Sequence, residues 1–175
     1  MNLFGFLKKR KKVEPNTPPH FDPNTIIDPE TERFISAVCS TLSPQFFLLR
    51  SQNDGVPPPI VRGRNRDKQA IVDLWLAGYI SGYCDAFSQL CGRKFDINVL
   101  YIIYAAFYEK ADAVEAIHTY HIARLTLASD KEAAHILGFD EFEEGMLAGG
   151  NNVMDWHHKE IERPLGIYKK YSNYR

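Results

Sequence analysis

The sequence predicts an all-α protein, an irregular bundle of five to seven helices, on three observations. Apolar residues recur at the three- and four-residue spacing of an amphipathic helix along most of the chain after residue 28. Asp-Pro pairs and capping boxes, which are typical of helix starts, precede several of these segments. No segment alternates apolar and polar residues as a half-buried strand does. Because 45% of the 175 residues are hydrophobic, the chain has enough apolar material for the core of one domain.

The chain divides into an N-terminal basic tail with a proline-rich linker, residues 1–27, and a single helical domain, residues 28–175. Four prolines between positions 15 and 23 disfavour helix in the linker. The run 8–12 is entirely basic, and setting it aside leaves 16 basic and 22 acidic residues, a net charge of −6. An acidic body disfavours nucleic acid as a partner.

The tail combines apolar and basic residues in a way that suits weak contact with an anionic membrane surface. Its candidate contact residues are Phe4, Phe6, Leu7, Lys8, Lys9, Arg10, Lys11 and Lys12. A tail that only keeps the protein in solution is the alternative. No apolar run approaches the roughly 18 residues of a membrane span, and no apolar stretch follows the N-terminal charges as in a secretory signal. We therefore expect a cytoplasmic protein, located at the inner face of the membrane if the tail binds there.

Helix boundaries follow from caps and prolines. Asp28-Pro29 predicts the first helix, Ser43-Pro44 predicts a second short one, and residues 51–65 are expected to form a loop. The strongest helical pattern covers residues 67–91. It is apolar over more than half its circumference, which predicts a central position in the bundle.

The C-terminal half predicts four further helical segments. One begins at Asp96 and runs toward residue 128, with a break near Glu109. Capping boxes at 129–132 and 140–143 predict a short helix ending at Gly138 and a long helix running toward residue 162. Three tyrosines near the C-terminus predict a last helical turn packed against the body: Tyr168, Tyr171 and Tyr174.

Two segments share the pattern aromatic-x-x-Gly-x-x-x-Gly-x-x-Asp/Asn, which predicts a weak internal two-fold repeat. A glycine inside a helix costs about 1 kcal/mol relative to alanine, so two such pairs need a packing reason. Glycines four apart share a helix face and allow a second backbone to approach. We predict that the two helices cross at these glycines, with Asp85 and Asn152 near the crossing; the alternative is a break in the last helix at Gly149-Gly150. The four glycines are Gly78, Gly82, Gly145 and Gly149.

The first glycine segment has the sequence Gly-Tyr-Ile-Ser-Gly-Tyr-Cys-Asp-Ala at positions 78–86. It resembles a glycine-rich helix found in some small bacterial immunity proteins. Cytoplasmic immunity proteins and adaptors also fit the size of the chain, its acidic body and its lack of catalytic motifs. The three cysteines do not have the spacing of a disulfide framework.

A carboxylate–histidine pattern raises a second hypothesis, a metal-binding bundle of ferritin-like type. Glu115-x-x-His118 has the spacing by which one helix presents two ligands in such bundles, and Asp155-x-x-His158 is a second candidate pair. The metal would be iron, manganese or zinc. The alternative is an exposed charged helix face without a cofactor.

The acidic cluster Asp140, Glu141, Glu143 and Glu144 lies at a predicted helix start, where negative charge is favourable. It is also a candidate docking face for a basic partner. No nucleophile elbow, phosphate loop or dinucleotide fingerprint occurs, so the sequence offers no evidence for an enzyme. The favoured hypothesis is a non-catalytic protein that binds another protein, such as an immunity-type inhibitor of a basic toxin or effector.

Overall fold

A computed structural model describes residues 27–52 and 57–172. The described part confirms an all-α irregular bundle, with seven helices and one small two-stranded sheet. The elements are α1 (Pro29–Gln52), β1 (Val61–Arg64), β2 (Ala70–Val72), α2 (Leu74–Leu90), α3 (Ile97–Phe107), α4 (Lys110–Ser129), α5 (Lys131–Ile136), α6 (Phe139–His157) and α7 (Gly166–Tyr171).

Several helix starts lie where the caps predict them. The Asp28 carboxylate accepts hydrogen bonds from the backbone N–H of Glu30 at 3.0 Å and of Thr31 at 2.9 Å, at the start of α1. Asp96 caps α3 in the same way, accepting from the Asn98 N–H at 2.8 Å. The predicted break near Glu109 is confirmed, since α3 ends at Phe107 and α4 begins at Lys110.

The separate helix predicted at Ser43-Pro44 is wrong, because α1 continues through Pro44 to Gln52. Proline removes the N–H that would bond to the Ser40 carbonyl. Both residues are exposed, so water can take that bond. The buried stripe of α1 continues on both sides of the proline, and its packing keeps the helix whole: Val38, Leu42, Phe46 and Leu49.

The prediction of no strand, and of helix from residue 67, is also wrong. β1 and β2 pair antiparallel, with Val61 opposite Val72. Between them the Asn65 side chain accepts from the N–H of Asp67 and of Gln69, which closes a tight turn. A side chain that bonds its own local backbone competes with helix formation, and here the turn is favoured.

The last helices start and end differently from the prediction. Asp130, not Ser129, caps α5 by accepting from the Ala133 N–H at 3.0 Å.

Helix α6 begins at Phe139, after Gly138 at φ 76°, so Asp140 lies in its first turn and is not the cap. It ends at His157 rather than near residue 162. The predicted C-terminal turn is α7, while Tyr174 lies outside the described residues.

Helix α2 is the central element, as predicted: Trp75 to Cys84 are buried without interruption. Its aromatic residues Trp75, Tyr79, Tyr83 and Phe87 form a row, with successive ring centroids 5.1, 5.9 and 5.7 Å apart. Helix α6 packs along α2. We call the side of this pair that contacts α1 and α7 the closed side, and the side that faces α4 the open side.

Candidate functional site

The four predicted glycines lie in the contact between α2 and α6. A Cβ atom on Gly78 would lie 2.1 Å from the Phe142 carbonyl oxygen, and one on Gly82 would lie 2.0 Å from that of Met146. The contact is reciprocal. A Cβ atom on Gly145 or Gly149 would lie 2.1 Å from the carbonyl oxygen of Trp75 or Tyr79, respectively. The two backbones therefore touch over two turns, and α6 has no break at Gly149.

The structure places Asp85 and Asn152, which we expected near the crossing, on different sides of the helix pair. Asp85 faces the open side. Asn152 lies on the closed side, where its Oδ1 accepts from the Tyr79 hydroxyl at 3.1 Å and from the Gly166 N–H at 3.0 Å. The buried Gln45 adds a second acceptor for the Tyr79 hydroxyl, at 3.4 Å.

The open side contains a cleft of about 460 Å³ between α2, α4 and α6, which we call the α2–α4–α6 cleft. Its apolar lining includes Leu127, Met146, Leu147 and Met154. Gly82 and Gly150 also line it, so the glycine contact forms part of its floor. Helices α2 and α6 pack closely along each other, whereas α4 packs mainly against α3 and α5 and less extensively against α2 and α6, which leaves the cleft between the three helices.

Three charged side chains line the same cleft: Asp85, Arg124 and Glu143. The Arg124 guanidinium lies 3.9 Å from the Met146 sulfur. Among the described residues, neither Asp85 nor Glu143 forms an ion pair. Leu147 is 62% exposed and Glu143 is exposed, whereas Asp85 is half-buried and accepts from the Gln89 amide N–H at 3.1 Å.

The predicted acidic cluster is divided by the helical geometry. Glu143 lines the cleft, and Asp140 lies on the same face of α6 because the two are three residues apart. Asp140 forms a short contact with His135 of α5.

The other two residues of the acidic cluster do not line the cleft. Glu144 accepts from the Trp75 indole N–H at 3.1 Å and from the Lys170 ammonium at 3.4 Å. Glu141 is exposed.

The four candidate metal ligands are not brought together. In the described ranges, no three His, Cys, Asp or Glu side chains form a group that could hold a metal ion. Glu115 lies beside the sheet, where it pairs with Arg64 at 3.7 Å. His118 is exposed on α4, and Asp155 and His158 lie at the C-terminal end of α6. Burial, together with the charge of His118, lowers the pKa of the neighbouring His121.

Sequence reasoning missed a buried carboxylate on the closed side. Asp73 caps α2 by accepting from the Leu76 N–H at 3.0 Å, and its side chain is 1% exposed. It also accepts from the Arg62 guanidinium at 2.6 Å and from the Tyr171 hydroxyl at 2.7 Å. These bonds join the antiparallel β1–β2 hairpin, through Arg62, to α2 and α7. The sequence contained one indication, an Asp directly before the apolar run 74–80.

The candidate membrane-surface residues, Phe4 to Lys12, lie outside the described residues. Within the described part, no helix has the length and apolar character needed to cross a membrane. No protein-family model matches the chain, and no curated protein or solved structure shows significant similarity to it.

Proposed function

We propose that this chain is a non-catalytic helical protein that binds another protein through the α2–α4–α6 cleft. The observation that carries the proposal is the exposed Leu147 in the same cleft as the carboxylates of Asp85 and Glu143, which form no ion pair among the described residues. A contiguous exposed apolar surface rimmed by polar groups is typical of protein interaction sites. Leu147 continues the apolar lining formed by Leu127, Met146 and Met154. The chemistry fits a partner segment that carries apolar side chains next to basic ones.

One further property of the cleft and one of the whole chain support protein binding. Met146 and Met154 are flexible, polarisable side chains that adapt to irregular partner surfaces. The net charge of −6 outside the basic run speeds association with a basic partner, and this effect weakens as salt rises. An immunity-type inhibitor of a basic toxin or effector is one role that this chemistry fits, and we place it in the cytoplasm.

The lining of the cleft also supports a non-catalytic role. Of the described residues that form it, none is a serine, threonine, cysteine or histidine, so the cleft lacks the hydroxyl, thiol and imidazole groups of a Ser–His or Cys–His site. Burial raises the pKa of the one fully buried thiol, Cys84, well above its usual range, which makes its thiolate unfavourable.

The test is a binding experiment with a matched pair of charge-changing variants. Glu143→Lys with Leu147→Lys alters the cleft, whereas Glu132→Lys with Leu125→Lys makes the same changes at exposed positions outside it. Immobilised chains are exposed to a lysate of the source cells, and the retained protein is identified, purified and titrated by calorimetry. We expect the cleft variant to bind at least tenfold more weakly than wild type and the control variant to match wild type. Equal binding by both variants would contradict the proposal.

A further inference from the structure

We propose that residues 3–12 of this chain bind in its own α2–α4–α6 cleft and compete there with the partner. The inference rests on the proposed function, because it concerns the same cleft. In the absence of the partner, residues 3–12 occupy the cleft.

The segment has the chemistry that the cleft accepts. Leu3, Phe4, Phe6 and Leu7 supply four apolar side chains, and the basic run 8–12 follows them directly. The cleft is lined by the apolar side chains of Leu127, Leu147 and the two methionines, by the carboxylates of Asp85 and Glu143, and by one cation, Arg124, so its acidic groups outnumber its basic ones. Apolar side chains can therefore be buried while the basic run lies beside acidic groups.

The described chain begins at the C-terminal end of α2. At the start of α1, Glu30 accepts from the Arg93 guanidinium at 2.9 Å, and Arg93 follows the C-terminal end of α2. Phe34 of α1 contacts Phe87 of α2, with ring centroids 6.4 Å apart. Gln89, in the last turn of α2, lines the cleft. The chain therefore enters the domain at the same end of α2 as Gln89, but on the closed side, so the linker must pass around that end of the helix to reach the cleft.

The linker is long enough for the segment to reach any part of the cleft. The 14 residues from 13 to 26 can span at most about 50 Å. Helix α2 has 17 residues and is about 25 Å long. Because a short tether gives an effective concentration in the millimolar range, even a weak interaction is sufficient for occupancy. This favours the chain's own cleft over that of a second copy.

Photo-crosslinking of the full chain tests the inference. Phe6 is replaced by p-benzoylphenylalanine, the protein is irradiated, and the crosslinked peptides are identified by mass spectrometry. We expect crosslinks within one chain to the α6 peptide that contains Met146 and Met154. Their yield should fall at least fivefold in the Glu143→Lys, Leu147→Lys background and remain unchanged with the control pair Glu132→Lys, Leu125→Lys. The yield should also fall between 50 and 500 mM NaCl.

Four outcomes would overturn the inference. They are crosslinks scattered over the surface, no crosslinks, crosslinks that join two chains, and co-sedimentation of the full chain with phosphatidylserine-containing vesicles without crosslinks to the cleft. The third would mean exchange between copies, and the fourth would mean that the tail binds membranes.

The two proposals fail in different ways. With the tail variant Leu3→Ser, Phe4→Ser, Phe6→Ser, Leu7→Ser, we expect at least threefold tighter binding of the partner than with wild type. If that variant equals wild type while the cleft variant still loses binding, the tail inference fails and the proposed function stands. If the cleft variant binds the partner normally, the proposed function fails, and the crosslinks still show whether the tail occupies the cleft.

Discussion

The two sides of the α2–α6 pair are built differently. On the closed side, polar atoms of one helix are bonded to another: Asn152 and Gln45 accept from Tyr79, and Asp73 accepts from Tyr171. On the open side, Asp85 and Glu143 line a cleft without an ion pair among the described residues. This difference indicates that the two sides have different roles. The contacts of the closed side hold the bundle together, whereas the open side has surface that a ligand can use.

The largest effect is expected in the contact on which both sides depend. Gly149→Ala places a methyl group 2.1 Å from the Tyr79 carbonyl oxygen, so the helices must move apart. We expect a loss of about 3 kcal/mol or more in the free energy of unfolding, measured by urea denaturation followed by circular dichroism. Gly150→Ala is the control, because its nearest new contact is at 3.8 Å. The control should be neutral or up to about 1 kcal/mol more stable. Equal losses in the two variants would contradict this account of the crossing.

The second effect concerns the buried carboxylate of the closed side. Asp73→Ala removes the cap of α2 and leaves the Tyr171 hydroxyl without this acceptor. We expect a loss of about 2–3 kcal/mol in urea denaturation, from the cap and the buried bonds together. Asp73→Asn keeps an acceptor oxygen and should recover part of that loss. A loss below about 0.5 kcal/mol for the alanine variant would mean that this network does not stabilise the closed side.

The sequence predicted some features of the two sides and missed others. The glycine pairs predicted the crossing contact, because only close backbone approach compensates for glycine in a helix. Asp28 and Asp96 marked helix starts, because capping is local. The hairpin at 61–72 was missed, because its strands are too short to show alternation and the Asn65 turn overrides the helical pattern.

Sequence patterns could not predict the cleft. Arg124, Asp85 and Glu143 come from three helices, and nothing local shows that they meet. The acidic cluster 140–144 was visible, but its division between the cleft and the closed side depends on how α6 is rotated against α2. The carboxylate–histidine pairs had suitable spacing along their helices, yet the fold places them apart.

The third effect appears at high pH and belongs to the closed side. Burial raises the pKa of Tyr79 above its usual value near 10. Above pH 10 the unfolded chain releases this proton and the folded chain retains it, so stability falls as pH rises. The contribution is up to about 1.4 kcal/mol per pH unit. Because the unfolded tyrosine is only partly ionised between pH 10 and 11, Tyr79→Phe should reduce the fall in stability over that interval by about 1 kcal/mol. Phe87→Leu, in the same aromatic row, should lower stability without changing the slope, and an unchanged slope in Tyr79→Phe would contradict the assignment.

The smallest effect is expected on the open side. Leu147 is 62% exposed and Glu143 is exposed, so replacing both with lysine removes little buried contact. We expect the free energy of unfolding of this double variant to stay within about 0.5 kcal/mol of wild type. Urea denaturation at the same salt concentration measures the free energy of unfolding of this double variant and of Gly149→Ala. A loss comparable to that of the glycine variant would mean that the cleft wall supports the fold. A neutral result means that weakened binding by the same variant reports on the cleft surface and not on unfolding.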